Sequence, residues 1–208
     1  MTHTLHRTGD QAGLQEDYVM LVLFAKGINE EGADEKMRGI WDLLSKYQSD
    51  LTNFGNLVGG NSLETNIEAF KKSSNRMLHA VFKDRETLKA CLKDMKEQDF
   101  GLSVVVSGLY EEVEKICSEV DLSPHTIEHS LGIHGKTGKL PEEKVLEVTT
   151  MCGHAMVSPN LVDHMVKKIE GGQMSYEEGA KELSRPCKCG IFNPYRAEKL
   201  LRIMTAPD

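Results

Sequence analysis

A chain of 208 residues with 39% hydrophobic and 27% charged residues has the size and make-up of a folded globular protein rather than a disordered one. Its 32 acidic against 25 basic side chains leave a formal charge of −7, which argues against a generic nucleic-acid binder with its basic surface. The longest apolar stretch, Val19 to Ala25, is too short to cross a bilayer, and MTHTLHRTGD lacks a signal-peptide layout, so a cytoplasmic protein is expected.

Residues 1–58 read as an N-terminal helical segment. Leu14 to Lys26 is apolar and ends at Gly27, a residue suited to stopping a helix because it tolerates positive φ. From Ala33 to Tyr47, the residues Met37, Ile40, Trp41, Leu44 and Tyr47 recur at helical spacing. FGNLVGGNS then breaks the pattern. His3, His6 and Arg7 form a third candidate group, since two histidines three apart at a terminus can fold over a site, but a terminal segment is mobile unless pinned, so the default expectation is no role.

Residues 59–140 alternate between periods and read as a small α/β domain. MLHAVF and LSVVVSG are short β-rich runs, ETLKACLKDMKEQ and LYEEVEKICSEV are amphipathic helices, and IEHSLGI is a further candidate strand. This order predicts a ferredoxin-like or other small α/β sheet carrying helices. Cys91 and Cys117 sit in the two helices as small buried hydrophobes.

Residues 141–208 read as a C-terminal helical module, giving an α+β protein as a whole. Pro141 suits a first helical turn. Ser158-Pro159 supplies a cap and a first-position proline, Ser175 and Glu178 have capping-box spacing, and Asn193-Pro194 opens the last helix.

Five cysteines in a chain without a secretory signal do not suggest a disulfide framework. Three of them fall in loops of the helical module: Cys152 in Cys152-Gly153-His154, and Cys187 and Cys189 in Cys187-Lys188-Cys189-Gly190. An antiparallel helix pair lies between the two loops and returns the chain to its starting end, so the loops can meet. Gly153 and Gly190 let backbone amides approach the sulfurs, and Lys188 and the start of the last helix add positive potential for thiolates. Three thiolates with His154 as fourth ligand suit tetrahedral zinc or an iron–sulfur cluster. The C-x-C spacing leans toward the cluster, because neighbouring thiolates reach different irons easily. A reversible disulfide or a merely structural pair of cysteines is the competing account.

His125, His129 and His134 form a second group, in PHTIEHSLGIHGKTGK. His125 and His129 would share one face of a helix as ligand pairs do, although such histidines are more often surface groups. GIHGKTG fails the phosphate-loop pattern, since Ser130 stands where the first glycine is required. His134 and Lys136 are still candidates to hold an anionic substrate.

TTMCGHAMVSPNLV followed by PCKCGIFNPYRAEKLL resembles an uncharacterised protein family of anaerobic archaea and bacteria. HTLHR, AKGINEEGA, VVVSGL and LGIHGKT are similar to the same family, so most of the chain is covered. The resemblance brings no activity with it. It implies an oxygen-poor setting, which raises an iron–sulfur centre above zinc. Three functions follow as expectations: an iron–sulfur protein for redox or cofactor chemistry in anaerobic metabolism, with a redox partner protein or small-molecule substrate; a zinc-stabilised, non-catalytic binding or regulatory module; or an enzyme holding an anionic substrate near His134 and Lys136.

Overall fold

Alternation along one apolar strand decides the architecture. The computed structural model describes residues 6–73 and 76–206. In it, the run YVMLVL is the strand β1 (Tyr18–Leu23), not part of a helix from Leu14 to Lys26. A short helix, α1 (Gln11–Leu14), precedes it. Tyr18, Met20 and Val22 enter one hydrophobic core while Val19 enters a second on the opposite face. A strand covered on both faces is apolar at every position, and such a run has no period to distinguish it from a buried helix. Gly27 serves a turn after the strand, at φ +76°.

The sheet has five antiparallel strands in the order β3-β2-β4-β1-β5, comprising β1, β2 (Leu51–Asn56), β3 (Gly60–Asn61), β4 (Met77–Phe82) and β5 (Ser103–Ser107). Helix α2 (Ala33–Ser45) joins β1 to β2, and α4 (Arg85–Gln98) joins β4 to β5. Disregarding the two-residue β3 and the short α3 (Ile67–Lys71), the path is β-α-β-β-α-β with antiparallel neighbours, the split ferredoxin-like arrangement. Strands thus come from both sides of residue 58. FGNLVGGNS forms the end of β2, a tight turn and β3. Helix α5 (Tyr110–Glu119) follows β5.

The first core lies between the sheet and helices α2, α3 and α4. Trp41, wholly buried, stacks on Phe70 at 4.5 Å and meets Phe54 edge-on at 6.1 Å. The opposite face carries Val19 and Val81, covered by α6 (Glu143–Thr150), α7 (Pro159–Glu170), α8 (Tyr176–Ser184) and α9 (Pro194–Met204).

Local chemistry sets the ends of these last helices. Ser158 accepts from the Leu161 amide, Ser175 and Glu178 form a reciprocal capping box, and Asn193 accepts from the Arg196 amide. Pro141 lies one residue before the N-cap Glu142 of α6, outside the first turn. IEHSLGI forms no strand, and His125 and His129 share no helix: residues 123–136 are exposed and irregular. Among the described residues, no helix is long and apolar enough to cross a membrane.

Trp41→Ala should cost about 3–5 kcal/mol, because it removes the shared partner of both Phe54 and Phe70 and leaves a cavity. Chemical denaturation followed by far-ultraviolet circular dichroism measures it; a loss below about 1 kcal/mol would mean the aromatic cluster does not anchor this core.

Candidate metal centre

The two cysteine loops are ordered by their position against the sheet. Cys152 follows the C-terminus of α6, and Cys187 and Cys189 lie between α8 and α9. Helices α7 and α8 connect the loops as an antiparallel pair. All three cysteines are at most 2% exposed and belong to the second core. They form a chain of contacts. Cys152 lies close enough to Cys187 for each thiol to alter the ionisation of the other, the Cys187 and Cys189 sulfurs lie 3.9 Å apart, and Cys189 Sγ lies 3.5 Å from His154 Nδ1. His154 itself is exposed. The four residues singled out in the sequence therefore come together. Among the described residues, no group of three or more His, Cys, Asp or Glu is arranged, as it stands, to hold a metal ion.

The thiols do not ionise alike. The hydrogen bond to Cys187, with burial, raises the Cys152 thiol far above its ordinary range, against the backbone amides of Met156 and His154. The Cys152 contact favours the Cys187 thiolate, as does the Phe192 amide, but Cys189 and burial outweigh them and push Cys187 up to about 11. Cys189 is held below the ordinary thiol range by the Cys187 hydrogen bond, with help from backbone amides including that of Ile191. The chain of thiols thus ends on the sulfur nearest His154.

Buried side chains hold the carbonyls of the same loops. Asn61 Nδ2 donates to the Cys187 carbonyl at 3.0 Å and to that of Ser184 at 3.2 Å. Asn53 Nδ2 donates to the Phe192 carbonyl at 2.8 Å. Arg7 donates to the Met151 carbonyl at 3.0 Å and to that of Ile191, and pairs with Asp17. Asp17 also accepts from Arg196 at 3.0 Å and Asn193 at 3.1 Å, and Arg196 reaches Glu147 at 2.9 Å. Gly9 fits against this cluster, where a Cβ would overlap the Arg196 guanidinium.

Gly190 explains the glycine after the second cysteine. It adopts φ +76°, and a Cβ there would lie 2.4 Å from the Phe54 carbonyl carbon and oxygen. Its role is close approach to β2, not to the sulfurs. Lys188 projects outward and pairs with Glu64. The α9 N-terminus is capped by Asn193, which is tied to Asp17, so the described sulfur donors are loop amides rather than that helix end.

The second histidine group stays apart from the cysteines. His129 meets the Tyr110 ring at 4.9 Å, and His6 Nδ1 lies 3.1 Å from Ser130 Oγ. His125 contacts its neighbour Thr126, and His134 contacts its own Leu131 carbonyl. Lys136 is exposed ahead of a 3₁₀ turn (Thr137–Lys139). His3 lies outside the described residues. Sequence reasoning missed Asp17, Asn53 and Asn61, and by default gave Arg7 no role. A trace of them was present, since Asn53 and Asn61 flank a glycine-rich hairpin and Arg7 opens the compact run Arg7-Thr8-Gly9-Asp10.

No protein-family model matches the chain, and neither the curated proteins nor the solved structures include a significant match.

Gly190→Ala should destabilise the protein by about 2 kcal/mol or more, since the left-handed backbone and the β2 contact both oppose a side chain. An unchanged melting temperature would remove the close-approach role. The thiols add a pH dependence. Above the ordinary thiol value of 9.0, the unfolded chain gives up protons that folded Cys187 and Cys91 retain, the latter raised by burial to about 12. The unfolded state then binds fewer protons, so stability of chelator-treated protein falls from about pH 9 to 11; Cys189 works the other way and only reduces the slope. Denaturation midpoints that rise across this window would refute it.

Proposed function

We propose that Cys152, Cys187 and Cys189, with His154, bind one thiophilic metal ion, zinc in the first place, and that the protein is a metal-stapled binding or regulatory module. The carrying observation is the spacing of the ligand atoms. Around a tetrahedral ion with bonds of about 2.3 Å to sulfur and about 2.0–2.1 Å to nitrogen, sulfurs lie about 3.8 Å apart and sulfur and nitrogen about 3.5 Å apart. The Cys187–Cys189 and Cys189–His154 contacts, 3.9 Å and 3.5 Å, match both edges. The remaining edges would have to close around the ion as it binds. Four protein ligands leave no open position, which is the pattern of a structural centre. The ion would join the loop after α6 to the loop before α9.

The second reading is an iron–sulfur cluster serving redox or cofactor chemistry in anaerobic metabolism. It is supported by the several loop amides that favour sulfur anions, since hydrogen bonds to sulfur stabilise and tune a cluster. A cluster needs the sulfurs to swing apart onto different irons, so contact spacing favours the single ion. An anionic substrate at His134 and Lys136 draws no support from side chains that are exposed and bonded locally.

Metal analysis of protein purified without oxygen, together with its absorption spectrum, tests both readings. A single zinc per chain, a colourless solution and loss of metal in Cys187→Ala and Cys189→Ala are expected. Iron with sulfide and visible absorption would replace the first reading by the second. Full metal content in both variants would remove the site.

A further inference from the structure

The Arg7 side chain touches both cysteine loops. Its one terminal nitrogen donates to the Met151 carbonyl at 3.0 Å and also to the Ile191 carbonyl, while the other pairs with Asp17. Met151 immediately precedes Cys152, and Ile191 lies two residues after Cys189. Arg7 is thus a bridge of a few ångströms between segments 40 residues apart in sequence.

The bridged carbonyls belong to particular peptide planes. The Ile191 carbonyl shares its plane with the Phe192 N–H, in the stretch that joins Cys189 to α9. A trans peptide holds its C=O and N–H in opposite directions, so fixing the oxygen fixes where the N–H points. The charged donor also polarises the peptide, making that N–H a better donor. The Met151 carbonyl shares its plane with the Cys152 N–H, so the same guanidinium sets the backbone entry of the first cysteine. Arg7 reaches this point because Thr8 is anchored: its amide and its hydroxyl each lie 3.1 Å from Thr150 Oγ1, and its carbonyl accepts from Arg196 at 2.7 Å.

We propose that Arg7 is the positioning residue of the thiol centre, clamping the Cys152 loop to the Cys187–Cys189 loop through the Met151 and Ile191 carbonyls. The inference rests on the reading of these cysteines as a working centre. It also assigns a task to the amino-terminal segment: the centre is complete only when residues 7–17 are docked. A lysine cannot take over, because a single ammonium nitrogen cannot sit both at Asp17 and at the two carbonyls, as the forked guanidinium does.

The test compares Arg7→Ala and Arg7→Lys with the parent full-length protein. Lysine keeps a positive charge for buried Asp17, so it guards against a variant that fails to fold. After treatment with a chelator and a thiol reductant, and removal of both, each protein is exposed at neutral pH to a small maleimide. Labelling of each cysteine is then followed by peptide mass spectrometry. Cys91, wholly buried in the other core, reports global opening. Both variants should speed labelling of Cys152, Cys187 and Cys189 by about tenfold or more relative to Cys91, the mark of local rather than global opening. Equal acceleration of Cys91, or no selective acceleration in either variant, would overturn the proposal.

Metal content of the same three proteins separates this outcome from the fate of the metal reading. A metal-free parent with selectively opened cysteines in the variants keeps Arg7 as the positioning residue and discards the metal. A metal-loaded parent whose variants keep both metal and protection discards the role of Arg7 and keeps the metal.

Discussion

The Asp17 carboxylate is the constraint on which the arrangement depends. It sits one residue before β1, wholly buried, and serves Arg7, Arg196 and Asn193 together. A lone charge there would carry a penalty of several kcal/mol, so its partners are obligatory. Glu147 balances the second guanidinium, giving two buried positive and two buried negative groups, and its other oxygen takes the more exposed Lys144 at 2.8 Å. Through these contacts the central strand, the amino-terminal segment, α6 and α9 meet at one point. Removing one member leaves the others unpaired in a buried site, a loss of about 3–5 kcal/mol in such pairs. This polar hub fixes directions between layers in a way that an apolar contact, tolerant of sliding, does not.

The cysteine loops inherit their geometry from the hub and from two asparagines. Their carbonyls turn toward Asn53, Asn61 and Arg7, and several of their amides turn toward the sulfurs. Only at the Ile191–Phe192 peptide, whose oxygen Arg7 holds, are these two aspects of one planar unit. Each buried carbonyl left without a donor would cost about 1–3 kcal/mol, more than the roughly 1 kcal/mol gained by a typical satisfied bond. Avoiding that penalty is what holds the loops in one conformation. Asn53 and Asn61 lie on β2 and β3, so the outer strands of the sheet shape the loop from one side while Arg7 shapes it from another. Gly190 completes the fit by letting the loop lie directly on the β2 backbone.

Local features of this fold were legible in the sequence. Ser158, Ser175 with Glu178, and Asn193 act within three residues of themselves, and each caps the helix its spacing predicted. The meeting of the three cysteines and His154 was also legible, because short helices between short loops bring the ends of a helical pair together. The α+β class followed from alternating periods around β4, α4, β5 and α5. Tyr18–Leu23 was misjudged as helix because burial on both faces erases the alternation that marks a strand. The roles of Arg7, Asn53 and Asn61 were not legible for another reason: the carbonyls they hold lie 123 to 184 residues away, and a local trace in the sequence does not encode such a pairing. The irregular segment around His125, His129 and His134 misled in the opposite sense, since histidine spacing resembled a ligand pair where no helix forms.

Three buried thiols can be accounted for as ordinary core residues, and the second core does contain them. That account leaves the amides unexplained. A neutral thiol is a weak acceptor, so an amide aimed at it in a buried loop gains little in return for losing water. A thiolate is a strong acceptor, and the same amide then becomes favourable. Burial alone opposes the thiolate, and adjacent thiolates repel one another. A bound cation removes both objections, because its charge offsets desolvation and repulsion while the amides satisfy the remaining sulfur lone pairs. The proposed metal reading would account for those amides, which the packing of neutral thiols does not by itself require.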